Sequence, residues 1–580
     1  GFGGPLAAQA ALLQACADKL AHLDDPLRAA LREVLRLTTL PPLWLDVLLP
    51  PPPISGFDAY VAALESHFAA LPLPLQSSQG QREPSDLPLA AFLGVDGYLA
   101  QGFGPDYRPR GGQQDFAQFV DAALNSKSPY LLEAGTGIGK TIGYLIPLLL
   151  RGRRSYVATH TKNLQDQAWH KDVPTVLAAL ERAGVGRHVA ILKGKGNYVC
   201  LQSVGEWLET LHEASLTTTE AWALAGALHW LLQTQTGWLS EIEGLRAPDL
   251  LARLARDQAP PQLRAPWDEL DPHARACVAA AEADLVLVNH SYVVALAQYQ
   301  DPEKANVDTL VFDEAHNLED VVTEALTLDF TPWALRRELT SLVRREATGR
   351  ARGLLRALIH HAGVETNATL RAFRDALAGL EEGLATWCLL TQQRLAEICI
   401  NEGDFDPDQP VLFPLSEFWQ PALLEAAGNL GEQMEALSVA IEAVLESLPA
   451  WPGLPRRLAG SLGSLQQHLE ENGAALRSML NPEAENRVQW AEAQVRLDEQ
   501  GLPLFAANTV EWWAIFHSTP IDVATWLHNT LPPLYPHRLY VSATLTVGDE
   551  FNNIERRLGI VQTEQDPQPV TGIFPSPFKY

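Results

Sequence analysis

The sequence predicts an α/β fold: a P-loop lobe on a parallel sheet, interrupted by large α-helical insertions and preceded by an α-helical N-terminal segment. Three observations carry this. Short apolar runs rich in β-branched residues recur at 129–133, 155–158, 189–192, 284–288 and 309–312, with helical stretches between them. The first of these runs leads straight into a glycine-rich loop. From about 325 to 505 the texture changes to Leu, Ala and Glu at helical spacing, as in 370–395 and 418–448.

Composition sets the outer bounds. The chain has 580 residues, 47% hydrophobic and 19% charged, enough for a sizeable core and, at about 150 residues per domain, for roughly four domains. No run of about 18 apolar residues appears; the best stretch, 221–232, is short and contains His229, so no membrane partner is expected. Five cysteines exclude a disulfide scaffold and fit a reducing, cytoplasmic compartment. Gly1 opens the chain, so the lack of a signal-peptide pattern carries no weight. A net charge of −27 argues against binding nucleic acid over the whole surface, but not against a local basic track. Six of nine lysines (Lys127, Lys140, Lys162, Lys171, Lys193 and Lys195) cluster between 127 and 195.

In chain order, residues 1–75 read as short helices broken by proline, with helical spacing over 27–37 and an interruption at Pro50-Pro51-Pro52-Pro53. Residues 76–85 are polar and read as a linker. A compact α/β region follows from about 88 to 325, then the helical region, then one more buried strand at 538–541.

The strongest chemistry lies in Ala134-Gly135-Thr136-Gly137-Ile138-Gly139-Lys140-Thr141, a Walker A pattern with Ala134 in the first glycine position. A loop that wraps a phosphate with backbone N–H groups needs the tight turns and close approach that Gly135, Gly137 and Gly139 permit. The helix that follows presents its N-terminus to the anion. Lys140 is expected to reach the β- and γ-phosphates of ATP and Thr141 to ligate Mg²⁺. A second motif, Asp313-Glu314-Ala315-His316, ends an apolar strand. Asp313 is expected to hold Mg²⁺ directly or through water, Glu314 to orient and deprotonate the attacking water, and His316 to link the nucleotide site to a bound strand.

This motif set resembles the DEAH-type superfamily 2 helicases, and more closely the DinG/XPD group of DNA helicases. The matching words are Tyr107-Arg108-Pro109-Arg110-Gly111-Gly112-Gln113, Glu133 to Gly137, Thr159-His160-Thr161 with Leu164-Gln165-Asp166-Gln167, Lys193-Gly194-Lys195-Gly196-Asn197-Tyr198, Ala283-Asp284 through Asn289-His290, Asp313 to His316, Ser542-Ala543-Thr544-Leu545 and Ser576-Pro577-Phe578. They occur in family order and cover roughly 90–580. The resemblance implies a RecA-like motor lobe, single-stranded DNA as partner and 5′→3′ movement. It implies that Gln113 reads the adenine, that Thr159, Thr161, Lys193 and Lys195 lie along the DNA, and that Ser542 and Thr544 couple hydrolysis to strand movement. The expected domains are an N-terminal helical segment and linker (1–87), the motor lobe in two parts (88–199 and 281–325), a helical insertion (200–280), an arch-like helical insertion (326–505), and the lobe's end with the start of a second lobe (506–580).

The chain departs from that family twice. Many members hold an iron–sulfur cluster on four cysteines. Cys200 stands at the first ligand position, but 256–275 has no cysteine, Cys277 lies too close to Asn289, and Cys388 and Cys399 belong to the later helices. The expectation is no cluster, with Cys200 and Cys277 as buried thiols and Trp207, Trp222, Trp230 and Trp238 packing the insertion's core. Only 35 residues follow Leu545, whereas a second lobe takes about 150. The expectation is one lobe with its insertions, weak in nucleotide binding and slow in hydrolysis. Some relatives carry an exonuclease upstream, so one is expected to fit before Gly1. Two other classes stay open: an ATPase switch that binds nucleotide without unwinding, and a DNA-binding module centred on 325–505. A CRISPR-associated DinG-like role also stays open, and the sequence names no protein partner.

Overall fold

The computed structural model describes residues 22–36, 49, 57–103, 108–209, 211, 218–245, 251, 254–256, 263, 265–298, 307–342, 367–401, 410–447, 457–481, 486–495, 505–506, 509–510, 512–561, 563 and 566–577. Pro50 to Pro53, Tyr107 and Phe578 lie outside them. The chain forms two units, 1–319 with 524–580, and 320–523. Among the described residues no helix is long and apolar enough to cross a membrane.

The first unit is built on eight strands: β1 (Leu75–Ser78), β2 (Tyr130–Ala134), β3 (Ser155–Thr159), β4 (Arg187–Ile191), β5 (Leu285–Asn289), β6 (Thr309–Asp313), β7 (His537–Ser542) and β8 (Val570–Phe574). Their order across the sheet is β1-β4-β5-β3-β6-β7-β2-β8, and every pairing is parallel except β1 with β4. Strands β3 and β6 are buried along their whole length, which is why they read as continuous apolar runs rather than alternating ones. Helix Lys140–Arg151 begins after Gly139 and ends at Gly152, both in the left-handed region (φ 91° and 63°), so glycine sets both ends. Helix Gly111–Ala123 packs beside it, with Phe116 and Phe119 edge-on to Phe574 of β8 at ring-centroid distances of 5.4 and 5.2 Å.

Four local expectations change. The polar stretch read as a linker contains β1, paired from Leu75↔Ala190 to Ser78↔Arg187. Edge strands gain little from apolar side chains, so a polar sequence hid it. Its continuation is stitched down by the fully buried Arg187, whose guanidinium donates to the carbonyls of Leu149, Arg82 (2.8 Å), Glu83 (2.9 Å) and Leu150 (3.2 Å). Second, helices Asp25–Leu35 and Asp58–Ala70 do not stand apart. Leu31, Val34, Tyr60 and Phe68 share one core with Val204, Leu224, Leu228 and Trp267 of the 200–280 region, and the Tyr60 hydroxyl donates to Leu228 O at 2.6 Å. Third, Trp222 is 48% exposed, while Trp238 is buried and Trp207 and Trp230 are partly buried. On helix Thr218–Leu231 the buried stripe is Ala221, Leu224, Ala225 and Leu228, and Trp222 lies off it. Cys200 is buried as expected, but Cys277 is exposed, because helix Pro272–Glu282 buries Ala276, Ala279 and Ala280 instead.

The second unit packs helices Ala368–Asn401, Pro421–Ser447 and Arg457–Leu480, with Leu370, Phe373, Leu377, Leu380, Leu384 and Trp387 inward at alternating three- and four-residue steps. It was expected to be wholly helical and to end near 505. It also holds a four-stranded antiparallel sheet in the order Leu328–Phe330, Trp512–Pro520, Arg487–Val495, Val411–Pro414. Trp512–Pro520 pairs along Arg487–Val495, and that pairing carries the unit through to Val523.

Replacing Arg187 with Met fills the same space but leaves buried carbonyls without donors. We expect a loss of about 3 kcal/mol in the stability of the first unit, read as a lower urea midpoint. A change below about 0.5 kcal/mol would show that the stitch is dispensable.

Candidate active site

Parallel pairing places the C-terminal ends of β2, β6 and β7 at one edge of the sheet, where open α/β sheets take their ligands. The register is tight: Val541 sits beside Asp313, and Ser542 beside Glu133. The phosphate loop springs from β2. Gly137 (φ 79°) and Gly139 (φ 91°) adopt backbone that side chains resist, and a Cβ on Gly139 would come within 2.2 Å of Gln113 Nε2. A Cβ on Gly135 would meet Ser576 N at 2.5 Å. Ile138 is buried. The loop is braced from outside: Gln113 Nε2 donates to Gly139 O at 3.0 Å, Arg110 donates to Gly137 O, and Ser576 Oγ donates to Thr136 O at 2.9 Å. Gln113 also lines a pocket beside the loop with Leu99, Phe103, Arg108, Arg110 and Ile142.

Lys140 and the two carboxylates meet. Lys140 Nζ lies 2.7 Å from Glu314 Oε1 and 4.0 Å from Asp313 Oδ1. Glu314 sits in the left-handed region (φ 57°, ψ 46°), a strained backbone for a residue with a Cβ, which turns its carboxylate towards Lys140. Burial works to raise the Glu314 carboxyl, but the Lys140 ammonium and the Ser542 hydroxyl outweigh it and hold the group below its ordinary value. Asp313 differs. Burial pushes it up to about 6, only partly offset by Lys140, and the Tyr144 hydroxyl donates to its Oδ2 at 3.0 Å. Asp313 and Thr141 offer a carboxylate and a hydroxyl, the hard oxygen donors that suit Mg²⁺.

A hydrogen-bonded chain runs on from Glu314. Ser542 Oγ donates to Glu314 Oε2 at 3.1 Å and accepts from Thr544 N at 3.3 Å. With its one proton committed, Ser542 must also accept from His316 Nδ1, 2.6 Å away. That tautomer leaves His316 Nε2 to accept from Asn317 Nδ2 at 3.0 Å. The sequence singled out Ser542, Thr544 and His316; the structure brings Ser542 and His316 together by their side chains and Thr544 by its backbone, its side chain being exposed.

The residues expected along DNA divide. Thr161 and Lys195 are exposed. Thr161 also caps helix Lys162–Gln167, accepting from Leu164 N at 3.3 Å. Thr159 is buried, with its hydroxyl donating to Thr161 O at 3.3 Å. Lys193 does not face solvent: it is 2% exposed, its ammonium 2.6 Å from Asp166 and 3.6 Å from the centroid of Trp238. The strand contact proposed for Lys193 is therefore corrected to an internal tie between the motif containing Asp166 and the insertion containing Trp238. Sequence reasoning gave no role to Glu133 and Arg110, although both stand in matching words, and passed over Tyr144 and Asn317. Tyr144 did carry a signal, as a phenol inside the otherwise apolar helix Lys140–Arg151.

Lys140→Ala should abolish binding of a fluorescent ATP analogue. Glu314→Gln should keep binding within about twofold and slow phosphate release by about 10² or more. Hydrolysis by Glu314→Gln at the parent rate would remove Glu314 from the chemistry.

Comparison with known proteins adds the context. No family model matches the chain. It is 26% identical over 512 residues to the ATP-dependent DNA helicase YoaA of Haemophilus influenzae, covering 85% of this chain and 67% of that protein. It is 32% identical over 244 residues to YoaA of Escherichia coli (40% and 36% covered) and 32% identical over 227 residues to the 3'-5' exonuclease DinG of Bacillus subtilis (38% and 24% covered). The matched stretch thus takes in two thirds of the first relative and about a third and a quarter of the other two. A solved XPD helicase aligns over 80% of this chain and 62% of its own, at 12% identity and a TM-score of 0.38. Over 512 residues the chain is thus similar in sequence to an ATP-dependent DNA helicase, and its motifs stand in the order that the resemblance implies.

Proposed function

We propose that the chain is the ATP-hydrolysing core of a DNA helicase, which couples hydrolysis to 5′→3′ translocation on single-stranded DNA. The observation that carries this is the hydrogen-bonded chain Lys140–Glu314–Ser542–His316, which joins the phosphate loop to the ends of two other strands. Backbone N–H groups of 135–140 and the start of helix Lys140–Arg151 bind the triphosphate. An arriving γ-phosphate competes with Glu314 for the Lys140 ammonium. The Glu314 oxygen so released can accept a proton from the attacking water, while Ser542 keeps the other oxygen aimed. Thr141 and Asp313 would hold Mg²⁺, which would supply charge neutralisation at the phosphates. A shift of Glu314 is felt at Ser542 and His316, which gives the hydrolytic state a path to the bound strand. Thr161 and Lys195 are the candidate contacts to its backbone, which carries no sequence information. The alternative, a nucleotide switch without unwinding, is favoured by the inward pairing of Lys193 and the charge of −27.

We also propose that no iron–sulfur cluster is held. What supports this is the sequence: Cys200 alone stands at a ligand position, and a cluster takes four.

Single-stranded DNA should raise ATP turnover by about tenfold, or 1.4 kcal/mol of barrier, and a strand labelled at its 3′ end should report arrival of the protein. Turnover indifferent to DNA would favour the switch. Purified protein should contain less than about 0.1 iron per chain; stoichiometric iron would sink the cluster-free reading.

A further inference from the structure

Glu133 is the last residue of β2 but one, directly before the phosphate loop. One of its carboxylate oxygens, Oε2, accepts three hydrogen bonds from a single turn of chain: Leu545 N at 2.7 Å, Thr546 N at 2.7 Å and Thr546 Oγ1 at 2.9 Å. That turn follows β7, whose final residue, Ser542, is paired in register with Glu133. Leu545 is buried, so its N–H has few other acceptors to turn to. Two adjacent backbone N–H groups and a hydroxyl converging on an anion form a charge-assisted clamp, stronger than three neutral bonds. The clamp ties the strand that leads into the phosphate loop to the turn that fixes where Ser542 points.

We propose that Glu133 is a positioning residue for hydrolysis: it locks the 543–546 turn so that Ser542 Oγ stays aimed at Glu314 Oε2. The idea rests on the ATPase reading above. Glu133 touches neither nucleotide nor water in this role; it acts through Ser542. The geometry also explains why an acid stands at the last position but one of an otherwise apolar strand.

The test uses the full chain and four variants: Glu133→Ala, Glu133→Gln, Ser542→Ala, and the Glu133→Ala/Ser542→Ala pair. Single-turnover ATP hydrolysis is measured with saturating Mg²⁺, and hydrogen exchange is followed at the amides of 541–546. Glu133→Ala should lower the hydrolysis rate by about tenfold with the half-saturating ATP concentration within about twofold, because orientation and not binding is lost. Glu133→Gln, whose amide oxygen still accepts, should recover most of that rate. The double variant should be no slower than the slower single one, since both changes break one link. The amides of Leu545 and Thr546 should exchange faster in Glu133→Ala while that of Val541 stays protected.

Losses that multiply in the double variant would overturn the proposal. So would a glutamine variant as slow as alanine, a rise in half-saturating ATP at unchanged rate, or unchanged exchange at 545 and 546. If the parent chain fails to hydrolyse ATP at all, the ATPase reading falls on that result alone. The exchange arm then decides the clamp: faster exchange confined to 545 and 546 upholds it, and unchanged exchange removes it.

Discussion

The parallel pairing of β7 between β6 and β2 is the constraint on which the site depends. The chain leaves the sheet after Asp313 and rejoins it at His537, yet the returning strand lies between two that were already laid down. Parallel neighbours bring their C-terminal ends to the same edge. Glu133, Asp313 and Ser542 thereby become neighbours by register alone, before any side chain has made a contact. Side-chain chemistry then refines the arrangement, and the left-handed backbone at Glu314 is where it stores strain.

Much of this was legible in the sequence, and the reasons are specific. The apolar runs that became β2 to β7 could be seen because central parallel strands are buried on both faces and cannot alternate. Walker-type residues could be seen because a phosphate loop needs glycine at fixed offsets. Lys140, Glu314, Ser542 and His316 form one connected group. The edges were not legible. Leu75–Ser78 is polar, and Val570–Phe574 alternates and contains Gly572, so neither carries an apolar signal. Nor was the sheet inside the second unit, where Arg487–Val495 and Trp512–Pro520 find each other across an intervening stretch and period-2 patterning was drowned by helical neighbours. Lys193 was misplaced because a lysine in a basic cluster looks solvent-facing until Asp166 and Trp238 are seen to enclose it.

The electrostatics follow the same logic at larger scale. A strongly acidic chain concentrates most of its lysines in one stretch, and the structure spends them differently. Lys140 answers two carboxylates, Lys193 is internal, and Lys195 is exposed. Asp313 and Glu314 are adjacent in sequence, yet they are pushed in opposite directions: burial dominates at Asp313 and the Glu314 charge adds to it, while at Glu314 the Lys140 ammonium, the Ser542 hydroxyl and His316 outweigh burial.

The strand order bears on how the chain is made. Both partners of β2, β7 and β8, come from beyond residue 537. A ribosome adding about 5–20 residues each second needs on the order of 20–80 s to travel from the phosphate loop to β7. Through that interval the apolar strand Tyr130–Ala134 has neither of its native neighbours and is open to mispairing. Strands β3 to β6 can associate meanwhile, so the half of the sheet that lacks the phosphate loop is free to form first. Nucleotide cannot stabilise the nascent lobe until the last quarter of its sheet has been synthesised, and a chaperone that shields early strands has most to offer at this one.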